Sequence, residues 1–301
     1  MGKKLLFILV FTGTLFVSSV KAQDDLMNMI NQNEKPAIDY TTATFKTTRI
    51  VIGQSSELTP KGNMLFLITH HFGAINTGYE NLFGIKQASI RLGLEYGLFN
   101  WLSLGAGLNT DKNTWDGFLK FKVLRQSKGA KKMPLTLDIF ANTAIYTTKW
   151  ANPDRTNYFS SRITYCVQAI VARKFGNALS LQITPSYVHK NIVPTSADAN
   201  DIFTLGAGGR VKVSQRVSIN AEYHYIFKGQ VVSSKVYDSF SLGVDIETGG
   251  HVFQIFLTNS YGEYEQTFLT DTRGKWSNGD IFLGFNISRM FTIVKPKQPK
   301  D

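Results

Sequence analysis

Twelve ionisable side chains recur at alternate positions along apolar segments: Arg91, Glu95, Lys120, Lys122, Asp138, Arg162, Arg210, Arg216, Glu222, His224, Asp245 and Glu247. A period of two places each on one face of an extended chain. Gathered around an enclosed space, they would line a narrow passage that sorts small solutes by size and sign. The competing use of the same residues is a network of paired charges that fills the interior and fixes it. Other chemistry is thinly represented. The histidines are His70, His71, His189, His224 and His251. Adjacent His70 and His71 point to opposite faces of a strand and cannot clasp one metal. One is expected inside and the other at a rim. His224 alternates with Glu222, but no nucleophile motif stands near any histidine. No catalytic residue, metal ligand or cofactor is therefore assigned. Gly105-Ala106-Gly107 and Gly206-Ala207-Gly208-Gly209 resemble fragments of a nucleotide loop, without the helix that must follow one. Cys166 stands alone, which excludes an internal disulfide and a multi-cysteine zinc site.

The elements that position these residues are strands. From Gln87 to Asn109, Ala88, Ile90, Leu92, Leu94, Tyr96 and Leu98 alternate with Gln87, Ser89, Arg91, Gly93, Glu95 and Gly97. After a turn at Phe99 and Asn100 the alternation resumes. The same pattern returns along the chain, and strands are expected to start near 63, 86, 101, 115, 134, 161, 178, 201, 215, 237, 250 and 280. Connections are mostly tight around Asn100, Gly129, Gly176, Ser214 and Gly249. They are longer at 73–85, 148–160, 190–200, 228–236 and 261–279, with 110–114 the short exception. Outer-membrane barrels carry short periplasmic turns and longer extracellular loops, which sets the orientation. The expected fold is an all-β antiparallel transmembrane barrel of about twelve strands over residues 63–294. Twelve is even, as closure with both termini on one side requires. A further extended stretch at 41–53 must then lie outside the ring, inside the lumen or across the periplasmic mouth.

Flanking segments and charge agree. Lys3 and Lys4, the apolar run Leu5–Val17 and the end Val20-Lys21-Ala22 read as a secretory signal peptide over 1–22. Residues 23–62 form a leader that holds the possible plug, and 295–301 a polar tail. Mean hydropathy is −0.10, too low for a helical membrane protein and ordinary for a barrel whose strands face water on one side. The net charge of +11 falls to +8 without the three lysines of the signal. That excess favours anionic solutes or lipid headgroups. Nucleic acid is excluded as a partner by export and by the lack of a basic helix or an RNA-binding motif. Expected partners are outer-membrane lipids and a small solute that the pattern does not identify.

Periodicity alone does not say which face is inside. A soluble sandwich or a lipocalin-like barrel would turn the apolar face inward. Strands of about ten residues and polar faces rich in Gly and Ser favour the membrane. Several runs carry a resemblance: Thr44-Phe45-Lys46-Thr47-Thr48-Arg49, His70-His71-Phe72-Gly73, Leu82-Phe83-Gly84, Gln87 through Gly97, Asp116 through Lys120 and His251-Val252-Phe253-Gln254. The chain resembles a domain-of-unknown-function family of β-barrel proteins from Gram-negative bacteria. The resemblance implies an outer-membrane barrel and brings no activity. The functional expectation is a passive channel for small, anionic solutes, and not an enzyme. Its alternative is a closed structural barrel that binds a partner through its long loops.

Overall fold

The computed structural model describes residues 37–150 and 152–295. The expected signal at 1–22, the leader up to 36 and the tail from 296 lie outside the described residues. Fourteen strands run in chain order: β1 Ile38–Tyr40, β2 Asn63–Ala74, β3 Ala88–Phe99, β4 Leu102–Asn109, β5 Thr114–Leu124, β6 Ser127–Gly129, β7 Thr136–Tyr146, β8 Ile163–Phe175, β9 Leu179–Lys190, β10 Asp201–Lys212, β11 Val217–Ile226, β12 Ser239–Thr248, β13 His251–Thr258 and β14 Phe282–Thr292. Twelve of them, all but β1 and β6, close into an antiparallel barrel. The ring is sealed where β14 meets β2, with Thr292 opposite Asn63. Each barrel strand begins within two residues of the position that alternation predicts. No described helix is long and apolar enough to cross a membrane.

Two compact units are present. In the smaller, β1 pairs with β6 as a two-stranded ribbon, with Ile38 opposite Gly129 and Tyr40 opposite Ser127. The larger unit holds the barrel and residues 41–62.

Alternation along each barrel strand becomes inside and outside. Arg91 is 2% exposed and Glu95 3%, whereas Leu92 and Leu94 between them are 43% and 49% exposed. The apolar face is therefore the outer one, and the soluble alternatives fail. Aromatic rings collect at both ends of this wall, where amphipathic rings meet headgroups. Phe99 stacks on Trp101 at 5.2 Å at the end with short turns. Trp115 and Tyr165 stand exposed toward the end with long loops. The two adjacent histidines divide between the faces. His71 is fully buried inside. His70 lies within the outer wall rather than at a rim, stacked 4.9 Å from Phe285.

Two segments leave the wall and occupy the interior. Residues 41–59 precede β2 and contribute no strand to the ring, as the parity argument requires. They fold as bends around a tight turn, in which Arg49 bridges Gln54 and Ile50 N–H donates to Gly53 O. The chain then leaves across Gly97, where an added Cβ would sit 2.2 Å from Pro60 O. Only a residue without a side chain allows that crossing. From the opposite end, the β13–β14 connection carries α1 (Glu265–Thr270), all six residues of which are buried.

Candidate functional site

Ionisable side chains gather in the interior, and most of them are already engaged. Arg91 grips Asp116 through two parallel bonds, Nε–Oδ1 at 2.8 Å and Nη2–Oδ2 at 2.5 Å. Its guanidinium lies across Gly107, where a Cβ would come within 2.4 Å of Nη2. The small residues of β3 and β4 thus make room for a large buried cation. Lys122 stands 3.7 Å from Asp138. His224 Nε2 is 3.9 Å from Glu222 Oε2.

Residues 41–59 have no neighbouring strand to pair with, yet buried peptide groups must find partners. Wall side chains supply them. Glu222 accepts from the N–H groups of Ile52 and Gly53 at 2.7 and 2.9 Å. Lys120 and Lys122 donate to Glu57 O and Ser56 O at 3.0 and 2.6 Å. Arg210 donates to Ala43 O and Thr44 O. The amides of Gln182, Asn220, Gln254 and Asn286 donate to carbonyls between Ile50 and Gln54. Glu95 accepts from the hydroxyls of Thr48 and Thr59. Lys46 pairs with Glu247 near the short-turn mouth. Contacts thus reach this segment from around the ring.

The in-folded loop is held mainly through its own side chains, with Tyr261 O on His71 Nδ1 and Thr272 O accepting from Tyr237 N–H beside them. Gln266 donates to Asn142 Oδ1 at 2.6 Å, and Phe268 lies 5.2 Å from the His224 ring. Glu263 accepts from Ser89 at 3.0 Å. Burial pushes the Glu263 carboxyl up to about 8, opposed by the Ser89 bond and the charge of Arg91. Asp111, in the β4–β5 connection nearby, is also raised by burial, against the pull of Lys112. The two segments meet at one ion pair. Arg49 Nη1 stands 2.6 Å from Glu265 Oε1, with both side chains buried. Gln54 Nε2 donates to the same oxygen at 2.9 Å.

Of the twelve residues assigned from sequence, Arg91, Glu95, Lys120, Asp138, Arg210, Glu222, His224 and Asp245 are buried within the ring. Lys122 and Glu247 lie near its short-turn mouth, lining the recesses beside residues 41–59. Two sit elsewhere. Arg162 belongs to a short 3-10 turn before β8, over the Trp150 ring at 3.8 Å and donating to Tyr146 O. Arg216 is exposed in the turn before β11. Both precede the first residue of a strand, where the chain leaves the sheet and parity no longer sets direction. Arg49, Glu265, Glu263 and the wall amides escaped sequence reasoning. The first three fall outside any period-two run, and the amides carry no charge to single them out.

A second cluster lies on the outer wall. His189 Nδ1 is 2.7 Å from Asp201 Oδ1, and the Tyr187 hydroxyl donates to that oxygen at 2.6 Å. His189 Nε2 faces Asn191 Oδ1 at 3.1 Å. An amide oxygen thus holds the place that a nucleophile's hydroxyl would need. Among the described residues no group of three or more His, Cys, Asp or Glu could hold a metal ion.

A family described as membrane-bound beta barrel domain (DUF5777) matches residues 45–291. No curated protein matches by sequence. Among solved structures, an outer-membrane channel from Pseudomonas putida F1 is 13% identical, covering 78% of this chain and 98% of its own at a TM-score of 0.48. The NanC porin is 9% identical over 76% and 98%, with a TM-score of 0.46. Phospholipase A of the Escherichia coli outer membrane is 13% identical over 76% and 92%, with a TM-score of 0.40.

Proposed function

The chain belongs to the family of membrane-bound β-barrel domains, a barrel of the outer membrane, and from that premise we propose that it is a channel for small polar solutes held closed at rest. The observation that carries this reading is the buried Arg49–Glu265 pair, which joins the segment entering from one end of the lumen to the loop entering from the other. The wall charges that select a solute in an open pore here hold peptide groups in place. Opening requires the two segments to part at this pair.

Anion preference is the finer part of the proposal. Among the buried charges of the interior, carboxylates (Glu95, Asp116, Asp138, Glu222, Asp245, Glu263, Glu265) outnumber cations (Arg49, Arg91, Lys120, Arg210), so the interior gives no bias toward anions. The positive excess stands at the short-turn rim, where Arg173, Arg216 and Arg289 are exposed. Cations at a mouth raise the local concentration of anions and act most at low salt. Swelling of liposomes that hold the purified protein tests the channel. Small neutral sugars and sugar acids are expected to enter slowly with the native chain and faster with Glu265→Gln. Impermeability to every solute in both proteins would support the closed interaction barrel instead. The enzyme reading has no support in the His189 cluster, and no ester hydrolysis is expected from the purified chain.

A further inference from the structure

One stripe of the outer wall differs from plain lipid-facing surface. Between β12, β13, β14 and β2 lies a cleft of about 510 Å³, lined by Phe72, Ile246, Phe253, Ile255, Phe285 and Ile287. Its size falls in the range of roughly 300–1,000 Å³ typical of small-molecule sites. Strand register shows how it ends. Ile255 lies opposite Phe285 and Phe253 opposite Ile287, and the next outward pair toward the short-turn end is His251 opposite Arg289. The apolar cleft therefore runs down to two basic side chains. Arg289 Nη1 is 3.4 Å from His251 Nε2, and its guanidinium stands 5.1 Å from the centre of the Phe291 ring. Among the described residues no carboxylate pairs with Arg289, and Glu247 at the neighbouring turn is taken by Lys46.

We propose that this stripe binds one anionic glycerophospholipid of the periplasmic leaflet, its phosphate on Arg289 and His251 and one acyl chain in the cleft. The charge of Arg289 and the apolarity of the cleft match the two ends of that molecule. A guanidinium is weakly hydrated and offers a planar fork that suits phosphate. Its height matches as well, because the short turns mark the periplasmic side. Arg173 provides an internal contrast. It also faces outward over an aromatic ring, Phe175 at 4.9 Å, but on β8, six strands away around the ring.

The test uses the full chain folded in mild detergent and native mass spectrometry. Dioleoyl phosphatidylglycerol and dioleoyl phosphatidylcholine are offered together. One phosphatidylglycerol is expected to stay bound, favoured by about tenfold, the scale of a charge-assisted hydrogen bond. The R289Q/H251Q double variant should lose that preference, and R173Q should keep it. Ile255→Trp, which fills the cleft and leaves Arg289 and His251 in place, should reduce retention of phosphatidylglycerol. Heat-dependent gel migration reports folding of each variant, and if the double variant does not fold, Ile255→Trp carries the test. Equal retention of both lipids by the native chain would overturn the proposal, as would an unchanged preference in R289Q/H251Q or unchanged retention in Ile255→Trp. Displacement of the lipid by soluble glycerol phosphate at equal concentration would mark a simple anion site and overturn it too.

Discussion

Residues 41–59 enter the barrel from the short-turn end and turn their backbone to the wall, whereas the loop around α1 enters from the other end and touches the wall with side chains. Glu222, Lys120, Lys122 and Arg210 grip peptide groups of the first segment from several directions. The loop rests on fewer buried charged contacts, Glu263 on Ser89 and Glu265 on Arg49, and also on neutral ones that include Gln266 on Asn142 and Thr164 O, Tyr264 on Thr114, Tyr261 O on His71 and Thr272 O on Tyr237 N–H. Hydrogen bonds to charged groups contribute about 1.5–3 kcal/mol each, neutral ones nearer 1 kcal/mol. Segments held at the lower end of that scale open first. The contrast therefore assigns the roles. On the proposed reading the N-terminal segment narrows the lumen, and the loop, which completes the closure, is the part that moves.

The largest effect is expected at the joint between them. Arg49→Glu places two carboxylates together in a buried site, and breaking a buried pair costs about 3–5 kcal/mol. Conductance in planar bilayers should rise strongly, and R49E/E265R should restore most of the closed state. If the reversal fails to rescue, the pair is not the joint.

Next comes Glu222→Gln, which weakens two charge-assisted bonds to the tip of the N-terminal segment, about 1–3 kcal/mol in total. Trypsin cleavage after the buried Arg49 should quicken while the barrel keeps its folded gel migration. Cleavage at the native rate would show that the wall does not hold the tip.

The pH response separates the loop from the N-terminal segment. Docked Glu263 keeps its proton up to about 8, against an ordinary value of 4.5. The docked loop therefore binds more protons than the released loop between those values, and its docking is strongest in acid and is lost as pH rises through about 8. Asp111 shifts in the same sense. Open probability should climb from pH 5 to pH 8.5 and flatten in Glu263→Gln. An opposite slope would assign the response to another group.

The smallest effect belongs to Gln266→Ala, which removes a neutral contact with Asn142. A loss of about 1 kcal/mol should lengthen openings modestly without exposing Arg49 to trypsin.

The fold was legible because a period of two is written into every barrel strand. Even the lumen face of β11, with Glu222 and His224, could be counted off in advance. Parity failed only at Arg162 and Arg216, one residue before a strand begins. The closed state was far less legible. Arg49 and Glu265 are 216 residues apart, and neither belongs to an alternating run that would give it a direction. A segment without a strand neighbour leaves no period of its own. The orienting clue was parity: twelve strands close a ring and leave 41–53 over, but counting does not say what it touches.

The central claim is that residues 41–59 close the lumen. Single-channel conductance of the full chain against a variant lacking 41–59, both with folded gel migration confirmed, tests it most directly. Brief, rare openings are expected for the full chain and steady conductance at every applied voltage for the shortened one. Equal conductance in the two proteins, whether silent or open, would contradict it.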